Sequence, residues 1–257
     1  VQAAEKHRPK AAILVHLYGW CSARTEDIRR YCRENGILLV EDGAQCFGVE
    51  LNGKSLYEGA HIATASFYPA KVYGSCGDAG AVFCSSEELA EKVRLYGNHG
   101  RMSHYEHGVV GWNSRMGGLD AAWLNLTLDY IDARIEDRRQ TAAWWQAELD
   151  KAEIRYVAPP QGVKENGYLV TTIIEPEKRP AVTATLKDRG IGFGTVYPGA
   201  MSKQPGADGW LKDHVGGNNA QYLGEGVLNP PLFAYMTAEE KSEALEALKE
   251  AVGAPVG

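Results

Sequence analysis

The apolar positions of this chain change their period along its length, and the changes mark the elements. Residues 11–18 (AAILVHLY) form a nearly unbroken apolar run with β-branched and aromatic members, and residues 37–42 (ILLVED) form a second. Runs of this kind predict buried strands. Between them, residues 25–35 read as a helix closed by Gly36, a residue suited to the left-handed turn that ends a helix. Strand, helix and strand at this spacing predict a βαβ unit with parallel strands. The lack of polar alternation predicts a sheet covered on both faces.

Further along, residues 63–68 and 79–84 are predicted strands. Ser85 with Glu88 has the spacing of a capping box, so a helix is expected to follow to about Tyr96. Residues 97–118, rich in Gly, His, Asn and Arg, read as a long functional loop. Residues 119–151 read as one long helix, with Leu119, Trp123, Leu126, Tyr130 and Ile131 among its apolar positions. The texture changes after Pro159-Pro160. A strand is predicted over 168–175, a helix over 181–189 ending at Gly190, and a second strand over 191–197. Thr237 and Glu240 are expected to cap a last helix, Ala238–Val252. The expected organisation is an α/β fold in two parts. Residues 1–125 belong to a large domain with a mostly parallel sheet, and 126–257 supply a long connecting helix and a small C-terminal α+β domain.

Composition narrows the function. The 257 residues are 44% hydrophobic, enough for a sizeable core. A net charge of −6 argues against a primary role on nucleic acid or an anionic membrane, since both require clustered positive charge. No apolar run approaches the roughly 20 residues that span a bilayer. Residues 1–10 are polar and charged and do not read as a signal peptide. The five cysteines are odd in number and contain no Cys-x-x-Cys pair. They are expected to be reduced core residues of a cytoplasmic enzyme, with no metal site.

Three features carry candidate chemistry. Glu41-Asp42-Gly43-Ala44-Gln45 ends a predicted parallel strand, where open α/β sheets bind ligands. Asp42 is either a buried carboxylate awaiting a cationic partner or the cap of a helix near Ala44, and the pattern alone does not choose. The second feature is Ser66-Phe67-Tyr68-Pro69-Ala70-Lys71, followed by a glycine-rich turn, Gly74-Ser75-Cys76-Gly77-Asp78-Ala79-Gly80. A lysine held there and partly desolvated has a lowered pKa, and its neutral amine condenses with an aldehyde. An isolated loop lysine would more often be a solvated surface residue. Third, Gly111-Trp112-Asn113-Ser114-Arg115 offers small donors and an arginine to a phosphate, or is an ordinary loop before a helix.

The order of these features, with His16-Leu17-Tyr18-Gly19, Gly77-Asp78-Ala79-Gly80-Ala81, Asn98-His99-Gly100-Arg101 and Val196-Tyr197-Pro198, resembles the DegT/DnrJ/EryC1/StrS family of sugar aminotransferases over essentially the whole chain. The resemblance implies the aspartate aminotransferase-like fold type I of pyridoxal 5'-phosphate (PLP) enzymes. It implies transfer of an amino group, from glutamate as donor, to a nucleotide-linked keto-sugar in deoxyamino-sugar or surface-polysaccharide biosynthesis. By the same resemblance Lys71 attaches the cofactor and shuttles the proton, and Asp42 pairs with the pyridine nitrogen. Gln45 bonds the phenolic oxygen, and Ser66 binds the phosphate. Asn113 reaches the phosphate of a neighbouring subunit, which implies a homodimer with shared active sites, and Arg115 supports that site or the nucleotide.

The family pattern also contains an N-terminal segment with a Gly-Thr phosphate turn and an aromatic residue stacked on the cofactor. Neither is found here, so the chain reads as lacking that segment. Two alternatives follow. One is a PLP-dependent sugar dehydratase of the same fold, although those relatives carry His where Lys71 stands. The other is a truncated, catalytically incomplete remnant that still dimerises.

Overall fold

The computed structural model describes residues 2–254. In chain order they form α1 (Gln2–His7), β1 (Ala11–Val15), α2 (Thr25–Glu34), β2 (Leu38–Asp42), β3 (Glu50–Leu51), β4 (Lys54–Ser55), β5 (Ile62–Ser66), β6 (Gly80–Cys84) and α3 (Glu87–Gly97). There follow α4 (Gly118–Leu128), α5 (Ile131–Lys151), β7 (Tyr156–Val157), β8 (Val163–Lys164), β9 (Thr171–Ile173), α6 (Arg179–Asp188), α7 (Asn218–Gly226), β10 (Val227–Leu228) and α8 (Ala238–Val252). They belong to two compact units. The first runs to Ile135 and recruits Pro159–Tyr168; the second comprises Glu136–Ala158 and the residues from Leu169 onward.

The first unit is built on a sheet of order β1-β2-β5-β6. β1, β2 and β5 are parallel, as the apolar runs predict, and β6 is antiparallel to β5. One face is covered. Ala12, Leu14 and Leu39 pack with Ile28, Tyr31 and Cys32 of α2, and Ala65, Ala81 and Phe83 pack with Leu124, Ile131 and Ile135. The other face departs from the expectation of a doubly covered sheet, because Ile13, Val15, Leu38 and Val82 are exposed. The cause is that α2 and the α4–α5 segment bring their apolar residues to the same side. A second small sheet, β4-β3-β8, draws residues 159–168 into this unit by pairing Glu50 with Lys164.

The second unit closes an apolar core. Trp145 and Leu149 of α5, Val182 and Leu186 of α6, Leu245 and Leu248 of α8 and Leu228 of β10 are buried together. The α8 capping box is present as read: Thr237 accepts from the Glu240 amide, and the Glu240 carboxylate accepts from the Thr237 amide.

Four local expectations are corrected. The helix after β6 is capped by Ser86, which accepts from the Leu89 amide, rather than by Ser85 with Glu88. Ser85 still belongs to the sheet, donating its amide to the His61 carbonyl. The predicted single helix over 119–151 is two helices. Thr127 Oγ1 donates to the carbonyls of Trp123 and Leu124, and Tyr73 OH also takes the Leu124 carbonyl, so side-chain donors crowd the last turn of α4. The predicted strand over 191–197 is reduced to one bridge, Gly194 to Asn229, because the Asn229 side chain takes the Val196 amide in place of a backbone partner. The strand predicted over 168–175 pairs only at Thr171–Ile173, since the Tyr168 amide is held by Asn166.

Candidate active site

The carboxyl ends of the parallel strands bring the candidate residues to one edge of the first unit. Register places Asp42 beside Val15 and Thr64, and Ser66 beside Gly80. Asp42 is half-buried, and its Oδ1 accepts from the Ala44 amide at 3.0 Å. The cap reading is therefore met locally, on a turn and not on a helix. Gln45 follows in that turn and is buried. Its Oε1 accepts from the Tyr18 amide at 2.6 Å, which orients the carboxamide. Gly43 has to be glycine here: an added Cβ would lie 2.7 Å from the Tyr57 ring and 2.9 Å from the Thr64 carbonyl.

Next to Asp42 lies a buried ionic cluster that no sequence motif marks. Arg29 is bidentate to Glu41, Nε to Oε1 and Nη2 to Oε2, both at 2.8 Å. Its remaining donors go to the Glu26 carboxylate and to the carbonyls of Leu56 and Glu58. His16 Nε2 donates to Glu41 Oε2 at 3.0 Å, and the His16 amide donates to the Asp42 carbonyl at 2.9 Å. All three side chains are at most 3% exposed, so every charge is compensated within the cluster. Burial alone would push the Glu41 carboxyl up; the bonds from His16 and Arg29 outweigh it and hold the group below its ordinary range. The cluster ties α2, β1 and β2 together immediately behind Asp42.

Lys71 lies in the turn after β5 and is half-buried. Its Nζ sits 5.0 Å from the centroid of the Tyr168 ring. Tyr168 is held by Asn166, whose Oδ1 accepts from the Tyr168 amide and whose Nδ2 donates to the carbonyls of Gln45 and Phe47, both at 2.9 Å. Beneath them the Cys46 thiol is pushed far up by burial. The neighbouring Cys21 and the negative Asp42 push it the same way, and positive Lys71 opposes them. Ser66 is half-buried, and its Oγ accepts from the Tyr68 amide at 3.2 Å.

The structure thus brings Asp42, Gln45, Ser66 and Lys71 to one sheet edge. Asn113 belongs to a different set of contacts: it is exposed, its backbone bridges to Asn98, and Arg115 donates to the Asn98 side chain at 2.8 Å. No cluster of acidic, histidine or cysteine side chains among the described residues could hold a metal ion. Sequence reasoning missed Asn166 and Tyr168, which no motif marks, and the partners of Glu41.

The DegT/DnrJ/EryC1/StrS aminotransferase family model matches residues 1–249. The chain is 33% identical over 253 residues to the "Pleiotropic regulatory protein" of Geobacillus stearothermophilus, covering 97% of this chain and 67% of the relative. It is 34% identical over 237 residues to the UDP-2-acetamido-2-deoxy-3-oxo-D-glucuronate aminotransferase of Pseudomonas aeruginosa, covering 92% of this chain and 64% of that protein. Among solved structures, that of NtdA from Bacillus subtilis with bound cofactor PMP superposes with a TM-score of 0.82 at 26% identity, over 95% of this chain and 57% of that one. The chain therefore spans about two thirds of the length of the curated relatives it matches. The fold is that of the type I PLP-dependent transferases.

Proposed function

Because the chain belongs to the DegT/DnrJ/EryC1/StrS aminotransferase family, we propose that it is the catalytic part of a PLP-dependent enzyme that moves an amino group from glutamate to a nucleotide-linked keto-sugar. The observation that carries the reading is that Asp42 ends β2 and Lys71 follows the neighbouring parallel strand β5, which sets an acid and an amine beyond the carboxyl ends of adjacent strands. That donor set fits PLP, which presents a basic ring nitrogen, an aldehyde and a phosphate. When bound, PLP supplies a carbon that accepts the amino group and a ring that takes up the electron pair released beside it.

The residues of the chain do the rest. Asp42 keeps the ring nitrogen protonated, since a carboxylate at hydrogen-bond distance favours the charged form. Lys71 Nζ would hold the cofactor and, once displaced by the amino donor, would serve as the base that takes and returns a proton. The Gln45 carboxamide, oriented by Tyr18, offers its nitrogen to the phenolic oxygen, and Ser66 Oγ offers its proton to the phosphate. The keto-sugar substrate is supported by the activity in the name of the Pseudomonas relative.

A second copy of the chain completes the site in this reading. Leu119, Leu126 and Tyr130 on and just after α4, and Val110 and Trp112 in the preceding loop, are all more than half exposed. Leu119 and Leu126 are two turns apart on α4, and several exposed apolar side chains on one helix and its preceding loop suit an interface. Asn113 lies beside it and would reach the partner's cofactor phosphate in a homodimer. No helix among the described residues is long and apolar enough to cross a membrane; the reading places the enzyme in the cytoplasm.

The test is chemical. Incubation with PLP and reduction with borohydride should leave the cofactor on the peptide containing Lys71. Lys71→Ala should abolish both that adduct and glutamate-dependent amination while remaining folded. An adduct on another lysine, or none in the wild type, overturns the assignment.

A further inference from the structure

Lys71 sits in the turn that joins β5 to β6. The turn is closed at its base by Phe67 N to Ala79 O at 2.8 Å and Ser75 N to Phe67 O at 2.7 Å, and Lys71 N meets Tyr68 O at 2.8 Å. Phe67, Val72 and Tyr73 pack into the apolar core of the first unit, and further anchoring comes from one face of α4. Asp120 Oδ1 accepts from Ser75 Oγ at 2.7 Å and from Cys76 Sγ at 3.5 Å. Trp123 Nε1 donates to the Gly74 carbonyl at 3.1 Å, and Tyr73 OH donates to the Leu124 carbonyl at 2.6 Å. The helix thus grips four consecutive residues, 73–76, directly after Lys71 and Val72.

The fit around Asp120 is close on both sides. A Cβ on Gly77 would lie 3.1 Å from Asp120 Oδ1, and one on Gly117 would lie 2.7 Å from Oδ2. The carboxylate occupies a slot that exists because both walls are glycine. It also lies in the first turn of α4, where the helix dipole favours a negative group. Ser75 is 4% exposed, so its hydroxyl has given up water for this one bond. Losing the acceptor would leave a buried donor unsatisfied and release the turn.

We propose that Asp120 is a positioning residue for Lys71: through Ser75 and the glycine slot it clamps the lysine turn to α4 and sets the amine's place before any cofactor arrives. Asp120 touches neither cofactor nor substrate in this arrangement; it acts on the lysine through the turn. The proposal rests on the reading of Lys71 as the cofactor-bearing amine, so its test has one arm that needs no cofactor.

In the intact protein without PLP, hydrogen exchange is followed at the amides of residues 68–77 in the wild type, Asp120→Ala, Asp120→Asn and Ser75→Ala. In parallel, the rate at which borohydride-trappable PLP appears on the Lys71 peptide is measured at fixed PLP. Asp120→Ala and Ser75→Ala should each speed exchange in the turn and slow trapping by roughly tenfold or more, the scale set by one hydrogen bond to a charged group. The amides of β1 and β2 should be unchanged. Asp120→Asn keeps an oxygen at Oδ1 and should restore both readouts to near wild type. Wild-type exchange and trapping in Asp120→Ala overturns the proposal. So does faster exchange spread evenly through the first unit, which marks a residue that only stabilises the fold. If the wild type itself traps no cofactor on Lys71, the cofactor reading falls, while the exchange arm still decides whether Asp120 clamps the turn.

Discussion

The second unit buries a tryptophan in its apolar core; the first, besides its apolar clusters, buries an arginine between α2 and β2. Trp145 is fully buried among Leu149, Leu186 and Leu248, and its one polar atom is satisfied by the Pro231 carbonyl at 3.0 Å. Arg29 is almost as deeply buried, but among Glu41, His16 and backbone carbonyls. An apolar core tolerates changes that keep its volume, because dispersion and burial are non-directional. An ionic cluster specifies directions: each donor has one acceptor, and moving any strand leaves a charge unpaired. The polar interior lies directly behind the strand ends that present Asp42 and Gln45, where direction matters.

The contrast can be broken most forcefully at Arg29. Arg29→Met leaves the Glu41 carboxylate buried without its main partner and should cost the first unit about 3–5 kcal/mol. Replacing both partners by apolar residues of similar volume should return most of that stability, yet loosen the strand end that carries Asp42. Denaturant unfolding, with exchange at the β2 amides as the local probe, separates the two effects. Leu149→Ala in the second unit should cost about 2–5 kcal/mol through the cavity it leaves. No partner change should rescue it other than one that refills the space.

Acid provides a subtler separation. The Glu41 carboxyl is held below its ordinary value of 4.5, so it contributes stability at neutral pH. That contribution is intact above 4.5 and disappears as pH falls below it through the folded-state value. Exchange protection in β1 and β2 should therefore fall on acidification before that of α5 and α8, and Glu41→Gln should remove the difference. The smallest expected effect is Thr237→Ala. Loss of the capping box should cost the second unit about 1 kcal/mol and leave the first unchanged.

These two interiors were not equally legible in the sequence. The runs at 11–18 and 37–42 reveal the parallel pair because buried parallel strands have no polar face to interrupt them. The same runs misled about the second face of the sheet: Ile13 and Leu38 are as apolar as covered residues, yet they are exposed. Thr237 had no competitor as a cap, whereas Ser85 and Ser86 stand side by side. The choice between them was made by the His61 carbonyl, which keeps Ser85 in the sheet. Asp42, Ser66 and Lys71 could be placed at the strand ends because Asp42 and Ser66 end strands and Lys71 follows one closely. Asn166 reaches Gln45 across 121 positions of sequence, and no local pattern encodes such a contact. What Asn113 touches depends in our reading on a second chain, which one sequence does not display.

The outer side of β1 has a consequence for how the chain behaves in company. β1 is an edge strand, five residues long, and it carries no charged side chain of its own. Natural sheets guard such edges with a lysine, a proline or a bulge, none of which interrupts Ala11–Val15. Among the described residues its outer main-chain groups meet no further strand, and Ile13 and Val15 are exposed beside them. A strand added along that border would extend the sheet and shelter Ile13 and Val15 from solvent.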